Sequence, residues 1–402
     1  MYLFTNNTLT FFRKYSIVYI YKLRIIQKRR EVFLTDELCK NKYSGDIYRI
    51  IYHEKQSSRQ NIASALGLSL PTVTNVLNVL KDNGFIYNAG SFSSTGGRKA
   101  NILSCVPNAR YSIGIDITKN HLSIAIIDLD INLIVQKRIR YRFVDSDEYY
   151  EYISQELEQL LDMHSIPRNK LLGVGISMPV IFNSDNKSIF YATVIQTFPG
   201  IYDRIEKHLP YPFLLFNDAN SAGLAESWNS DSNQAMLYLS LSNSVGGATM
   251  NGKYISVGNN HRASEFGHMC IIPNGKKCYC GQRGCLDAYC SALILSDFCD
   301  GNLKAFFEEL DTNTGYQRVF DDYLDHLAIG VNNLRVCYDY DIVLGGYVGA
   351  YMTDYIDILK EKVAKRNPFE KNADFIHVCH YKTEASAVGA AIYFINQLVQ
   401  SM

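Results

Sequence analysis

Several things are missing from this chain, and each absence closes off a class of protein. There is no net charge, since 40 Lys and Arg balance 40 Asp and Glu. There is no disulfide framework: ten cysteines are present, three of them close together and the rest scattered. That usage fits a reducing cytoplasm better than secretion. Within the apolar and basic run Phe11 to Val32, no uncharged stretch is longer than Tyr15 to Tyr21, far too short to span a bilayer. No small-residue cleavage site follows it, so neither a membrane span nor a signal peptide is expected.

The charge is balanced overall but segregated along the chain. Residues 1–105 carry 15 Lys and Arg against 6 Asp and Glu, and residues 106–402 carry 25 against 34. A basic front on an acidic body suggests a nucleic-acid-binding module joined to something else. At 402 residues there is room for two or three domains.

Residues 1–45 mix apolar and basic side chains and carry no clear role. From Asp46 the pattern sharpens. Ile47, Ile50 and Ile51 mark one short helix, and Arg59 to Leu66 a second that stops at Gly67. Ser69 is placed to cap a third helix, with Pro71 in its first turn. In that helix Val73, Val76, Leu77 and Leu80 recur at the spacing of one inward face. The outward face carries Thr72, Thr74, Asn75 and Asn78, short polar groups able to meet base edges in a major groove. Two strands follow, joined by a tip that ends Gly96-Gly97-Arg98-Lys99. Helix, helix, glycine turn, helix and basic hairpin describe a winged helix-turn-helix over 46–105. Arg59, Arg98 and Lys99 are the expected phosphate or minor-groove contacts, and a small helical protein-binding domain is the alternative.

After a linker at Val106 to Asn108, residues 106–402 read as a mixed α/β body. Three meandering strands from Tyr111, a helix from about Asp147 to Met163, and buried strands ending at Pro179 and Asn217-Asp218 place polar groups at strand ends. From Met236 the strand pattern restarts as if the first half were repeated.

One loop stands apart. His268, Cys278, Cys280 and Cys285 fall within eighteen residues as His-x9-Cys-x-Cys-x4-Cys, with glycines at 275, 281 and 284. One imidazole and three thiolates match a closed structural zinc site with no open position for a catalytic water. Buried or disulfide-paired cysteines are the alternative.

With those residues in view, the chain from about residue 46 to its end resembles the ROK family of repressors, open reading frames and sugar kinases. The signature is Gly267-His268 … Cys278-Tyr-Cys280-Gly281-Gln-Arg-Gly284-Cys285-Leu286, and the winged helix with its Gly-Gly-Arg wing marks the repressor branch. The resemblance implies an actin-like, sugar-kinase-like (ribonuclease H-like) two-lobed body with a sugar or sugar-phosphate effector between the lobes. It also implies homodimers or higher oligomers that read double-stranded operator DNA. Sugar contacts carry over to Asn217, Asp218 (the family's general base), Glu265 and His268. At the next position the family has glutamate and this chain has Asp287, a carboxylate set back by roughly 1.5 Å. Where the kinases follow an aspartate-ended strand with glycine-glycine-threonine, Asp116-Ile117 is followed by Thr118, Lys119 and Asn120. Side chains fill the space that phosphate would need. The implied function is a sugar-responsive repressor without catalysis. An active ATP-dependent sugar kinase fused to a winged helix is the alternative, and a repressor that answers to a protein partner is a third reading.

Overall fold

A computed structural model describes residues 42–91, 101–230 and 233–402. The chain divides into two compact units, one of residues up to Arg110 together with Ile395–Met402, the other Tyr111–Phe394. The N-terminal unit thus runs slightly beyond 105 and recruits the end of the chain.

In the first unit, α1 (Ser44–Glu54), α2 (Arg59–Leu66) and α3 (Leu70–Asp82) precede the antiparallel pair β1 (Ile86–Ser91) and β2 (Asn101–Cys105). Ser58 caps α2 by accepting from the Asn61 amide at 3.1 Å. Gly67 ends the same helix at φ 64°, a backbone state that glycine adopts without strain. Ser69 caps α3 through the Thr72 amide at 3.3 Å. The two helices meet at 118°, the crossing of a helix-turn-helix. Val73, Val76, Leu77 and Leu80 are the buried face of α3, packing under Tyr48, Ile51 and Phe85, which are also buried. Arg49 on α1 donates to the carbonyls of Val399 and Gln400 at 3.3 Å each, satisfying acceptors that a helix end leaves open.

The second unit is built on two five-stranded sheets. The first has the order β5-β4-β3-β6-β9, from β3 (Tyr111–Ile117), β4 (His121–Asp128), β5 (Leu133–Arg140), β6 (Leu171–Met178) and β9 (Phe213–Asn217). The second has the order β12-β11-β10-β13-β14, from β10 (Ala235–Leu241), β11 (Val245–Asn251), β12 (Tyr254–Ile255), β13 (Asp341–Gly345) and β14 (Ile376–Val378). A small pair, β7 (Ile181–Phe182) and β8 (Ile189–Tyr191), lies between β6 and β9 in sequence. In both sheets the first strand pairs antiparallel with the second and parallel with the fourth, which pairs parallel with the fifth. The repeat suggested by Met236 is therefore a duplicated lobe, and the body has the actin-like, sugar-kinase-like architecture.

Helix α4 (Asp147–Met163) and α5 (Ile201–His208) cover the first sheet, and α6 (Asp218–Asn229) follows β9 directly. Helix α7 spans Thr314–Tyr338. Asn313 accepts from the amides of Gly315 and Tyr316, and this cap carries the helix through a stretch of poor intrinsic propensity. After α8 (Ile356–Ala364), the last helix α9 (Ala385–Ser401) lies close on the body. An added Cβ on Gly114 would stand 1.7 Å from the Ala387 carbonyl oxygen, and one on Gly389 1.7 Å from that of Ser221. No single helix among the described residues is long and apolar enough to cross a membrane.

Candidate functional site

Two sites emerge, one in each unit. On α3, Asn75 and Asn78 are exposed, and Thr72 and Thr74 are half-buried. The Thr72 hydroxyl contacts Ser69 Oγ at 2.8 Å. Thr74 bonds back to the Leu70 carbonyl at 2.7 Å while accepting from Arg59 Nη1 at 3.2 Å. Thr74 is thus engaged within the protein, and its partner Arg59 is held along the outward face of α3. Arg98 and Lys99, the expected wing contacts, lie outside the described residues.

The second site is an open cleft, about 520 Å³ counting the solvent in its mouth. Asn217, Asp218, Glu265 and His268 all line it. Asn217 ends β9 and caps α6: its Oδ1 accepts from the Asn220 amide at 3.0 Å and its Nδ2 donates to the Val180 carbonyl at 3.2 Å. With both ends of its amide committed, Asn217 fixes the strand-to-helix corner. Asp218, the first residue of α6, is half-buried. Burial raises its carboxyl above the ordinary carboxylate range, opposed by the Ala219 amide and its own. Burial likewise raises Glu265, and the charge of Asp218 adds to it. The cleft therefore presents two carboxylates reluctant to ionise, and no Lys or Arg among the described residues lines it.

Asp287 departs from the expected arrangement. It is buried and absent from the cleft wall. Its Oδ1 accepts from the Val245 amide at 2.6 Å, bracing the β10–β11 turn, whose residues Ser244 to Gly247 do line the cleft. The shorter side chain thus acts one step behind the wall. Tyr279 is a wall residue that sequence reasoning passed over. It sits between two cysteines of the loop, and its hydroxyl lies 3.3 Å from His268 Nε2. Its aromatic identity within the Cys-x-Cys step was the available signal.

The loop itself brings one ligand atom each from His268, Cys278, Cys280 and Cys285 within 4.8 Å of one another. Cys278 Sγ lies 3.9 Å from His268 Nδ1, and the Cys280 and Cys285 sulfurs are 3.8 Å apart. A tetrahedral ion with bonds of roughly 2.3 Å to sulfur separates its ligands by about 3.8 Å, whereas a disulfide would need about 2.0 Å. The residues present therefore fit a metal, and paired cysteines do not describe this loop. Gly284, at φ 83°, passes so close to Ile272 that an added Cβ would stand 1.8 Å from its carbonyl oxygen. That close approach folds the cysteine hairpin back on itself.

Asp116 lies near the end of β3. It is 6% exposed and accepts from Ser177 Oγ at 2.6 Å. Burial lifts its carboxyl to about 7, with the Ser177 bond opposing and Asp218 adding to the rise. Gly345 and Gly346 have a packing reason here: an added Cβ on Gly345 would meet the buried Tyr238 hydroxyl at 2.1 Å, and one on Gly346 the Ser242 hydroxyl at 2.6 Å.

The fold and these sites define a class: a winged helix-turn-helix joined to a sugar-kinase-like body with a cysteine-rich loop. The chain belongs to the ROK family, whose model matches residues 112–397; a winged helix-turn-helix DNA-binding model matches 40–87. It is 25% identical over 346 residues to a putative xylose repressor of Caldicellulosiruptor sp. (strain Rt8B.4), covering 80% of this chain and 86% of that one. It is also 25% identical to the DNA-binding transcriptional dual regulator NagC of Escherichia coli (strain K12), covering 62% and 63%. Among solved structures, a ROK family transcriptional regulator described as a homolog of the E. coli MLC protein superposes with a TM-score of 0.70 at 17% identity, covering 91% of this chain and 98% of that one. A ROK family glucokinase from Streptomyces griseus, in complex with glucose and AMPPNP, gives 0.58 at 19% identity, covering 70% and 98%.

Proposed function

We propose that this protein is a DNA-binding transcriptional repressor of carbohydrate metabolism whose kinase-like unit senses a sugar. The observation that carries the reading is the convergence of Asn217, Asp218, Glu265 and His268 on one cleft in a chain that also presents Asn75 and Asn78 on a helix-turn-helix. Repressor relatives matched over about four-fifths of both chains support it. Thr72, Asn75 and Asn78 read base edges, Arg59 with Thr74 orients them, and Arg98 and Lys99 on the wing meet the backbone. A symmetric homodimer or higher oligomer presents two such helices to half-sites about 34–36 Å apart. The location is the cytoplasm, where the operator is.

The effector is an uncharged sugar. Two carboxylates with no Lys or Arg beside them among the described residues disfavour a phosphate, while paired hydroxyl donors suit them. A structural zinc ion held by His268, Cys278, Cys280 and Cys285 supplies folding energy and fixes the imidazole at the cleft. Under this reading the protein does not phosphorylate its sugar: by the family resemblance Thr118, Lys119 and Asn120 replace the glycines with which a kinase approaches phosphate, which leaves no phosphoryl donor for a hydroxyl activated by Asp218.

The test is a gel-shift titration of an operator complex with neutral sugars and their phosphates. A neutral sugar alters operator binding under this reading, and no response to any sugar overturns it. Asp218 at the cleft favours the kinase as the second reading. ATP-dependent turnover abolished by Asp218→Asn would establish that instead.

A further inference from the structure

The metal loop contains a fourth cysteine that the ligand set does not use. Cys270 is exposed, whereas Cys285 is buried, and both are free thiols. The two face each other in an isolated antiparallel bridge. The flanking hydrogen bonds run from Ile271 N to Gly284 O and from Leu286 N to Met269 O, each at 2.8 Å. Those bonds enclose the pair without joining it, so Cys270 and Cys285 occupy a non-hydrogen-bonded cross-strand position. Such pairs hold their Cα atoms about 4.5 Å apart with side chains on one face, inside the span of about 4.4–6.8 Å that a disulfide bridges. The Cys270 sulfur now rests 3.8 Å from the Arg283 carbonyl oxygen, on the side where Gly284 leaves room.

We propose that Cys270 and Cys285 form a cross-strand disulfide under peroxide, removing one of the four metal-holding sulfurs. The Cys270 thiolate attacks one peroxide oxygen, giving a sulfenic acid and hydroxide. The Cys285 sulfur then attacks the Cys270 sulfur, forming the S–S bond and expelling a second hydroxide; solvent protons convert both hydroxides to water. Each sulfur gives up one electron and each peroxide oxygen gains one. Cys270 reacts first because it alone of the loop cysteines is exposed and outside the ligand set. Losing Cys285 frees the loop that carries His268 and Tyr279 into the cleft, so oxidant joins sugar as an input to the same sensor. This rests on the metal reading above only for its consequence, since the strand register alone sets the disulfide.

The experiment treats the full-length protein with hydrogen peroxide under native conditions, maps disulfides by mass spectrometry, and follows zinc with a chromogenic chelator. A linked Cys270–Cys285 peptide appearing with zinc release is the expected result. Cys270→Ser forms no link and keeps its zinc at a dose where the parent loses most of it. If Cys270→Ser releases zinc as fast as the parent, or the link joins Cys280 to Cys285, the proposal is overturned. A Cys270–Cys285 link in protein that never contained metal upholds the disulfide and refutes the zinc reading separately.

Discussion

Replacing Asp116 with Asn should stabilise the protein, and only above mildly acidic pH. Asp116 is buried at the end of β3 with a single side-chain partner, Ser177. Its carboxyl rises from 3.8 to about 7 on folding. Between those values the folded chain holds a proton that the unfolded chain has released. Stability therefore falls as pH climbs through the window, and the full cost is present above 7. At 1.36 kcal/mol per pH unit, the cost of keeping the ionised form buried is roughly 4 kcal/mol, an upper figure because local relaxation and water lower it. Asn cannot ionise, nearly matches the shape, and still accepts from Ser177. Asp116→Asn should equal the parent in stability near pH 4, gain progressively to pH 7, and hold a plateau of about 2–4 kcal/mol beyond.

Urea unfolding of parent and variant side by side from pH 4 to 8.5 measures this. Glu226, which is also raised to about 7, contributes equally to both proteins and cancels in the difference. A variant that is less stable at pH 8, or a gain that is independent of pH, would refute the burial argument. A stabilising loss of this kind marks a residue kept for something other than stability.

Ser69→Ala removes the cap from the recognition helix and should cost about 1 kcal/mol, read as a lower Tm, with weaker operator binding in proportion. Asn75→Ala should lose about 1–3 kcal/mol of discrimination at one base pair while leaving non-specific binding intact, as a competition gel-shift against mismatched operators would show. Cys280→Ala should lose bound zinc by elemental analysis together with the sugar response. Normal sugar binding in that metal-free variant would break the link between loop and cleft.

What the sequence discloses follows local physics. Val73, Val76, Leu77 and Leu80 announce the buried face of α3 because helical spacing alone sorts them, and Gly67 and Ser69 announce the end of α2 and the start of α3 through capping chemistry. The His268 and three-cysteine spacing is equally local, since a hairpin of eighteen residues can close on one point only if glycines permit it. The setting of Asp287 is not legible locally, because its partner is the Val245 amide, forty-two positions away, and no local pattern encodes that bond. Arg49 reaching Val399 and Gln400 is a contact across nearly the whole chain, invisible until both ends are folded.

The cleft carboxylates also fix how sugar binding must depend on pH. Asp218 is raised by burial, and Glu265 by burial and then by Asp218, so the empty cleft binds protons more tightly than free carboxylates do. A neutral sugar brings hydroxyl donors, which favour the ionised acceptor. Binding therefore expels protons, and affinity rises with pH through the range where these groups titrate, then levels off once they are ionised. Calorimetry in two buffers of different ionisation heat counts the protons released. Asp218→Asn should bind more weakly and release fewer. Proton uptake on binding would mean that the sugar accepts from a protonated carboxyl, reversing the roles assigned to the cleft. The sign of one measured proton count thus separates a site that grips hydroxyl hydrogens from one that does not.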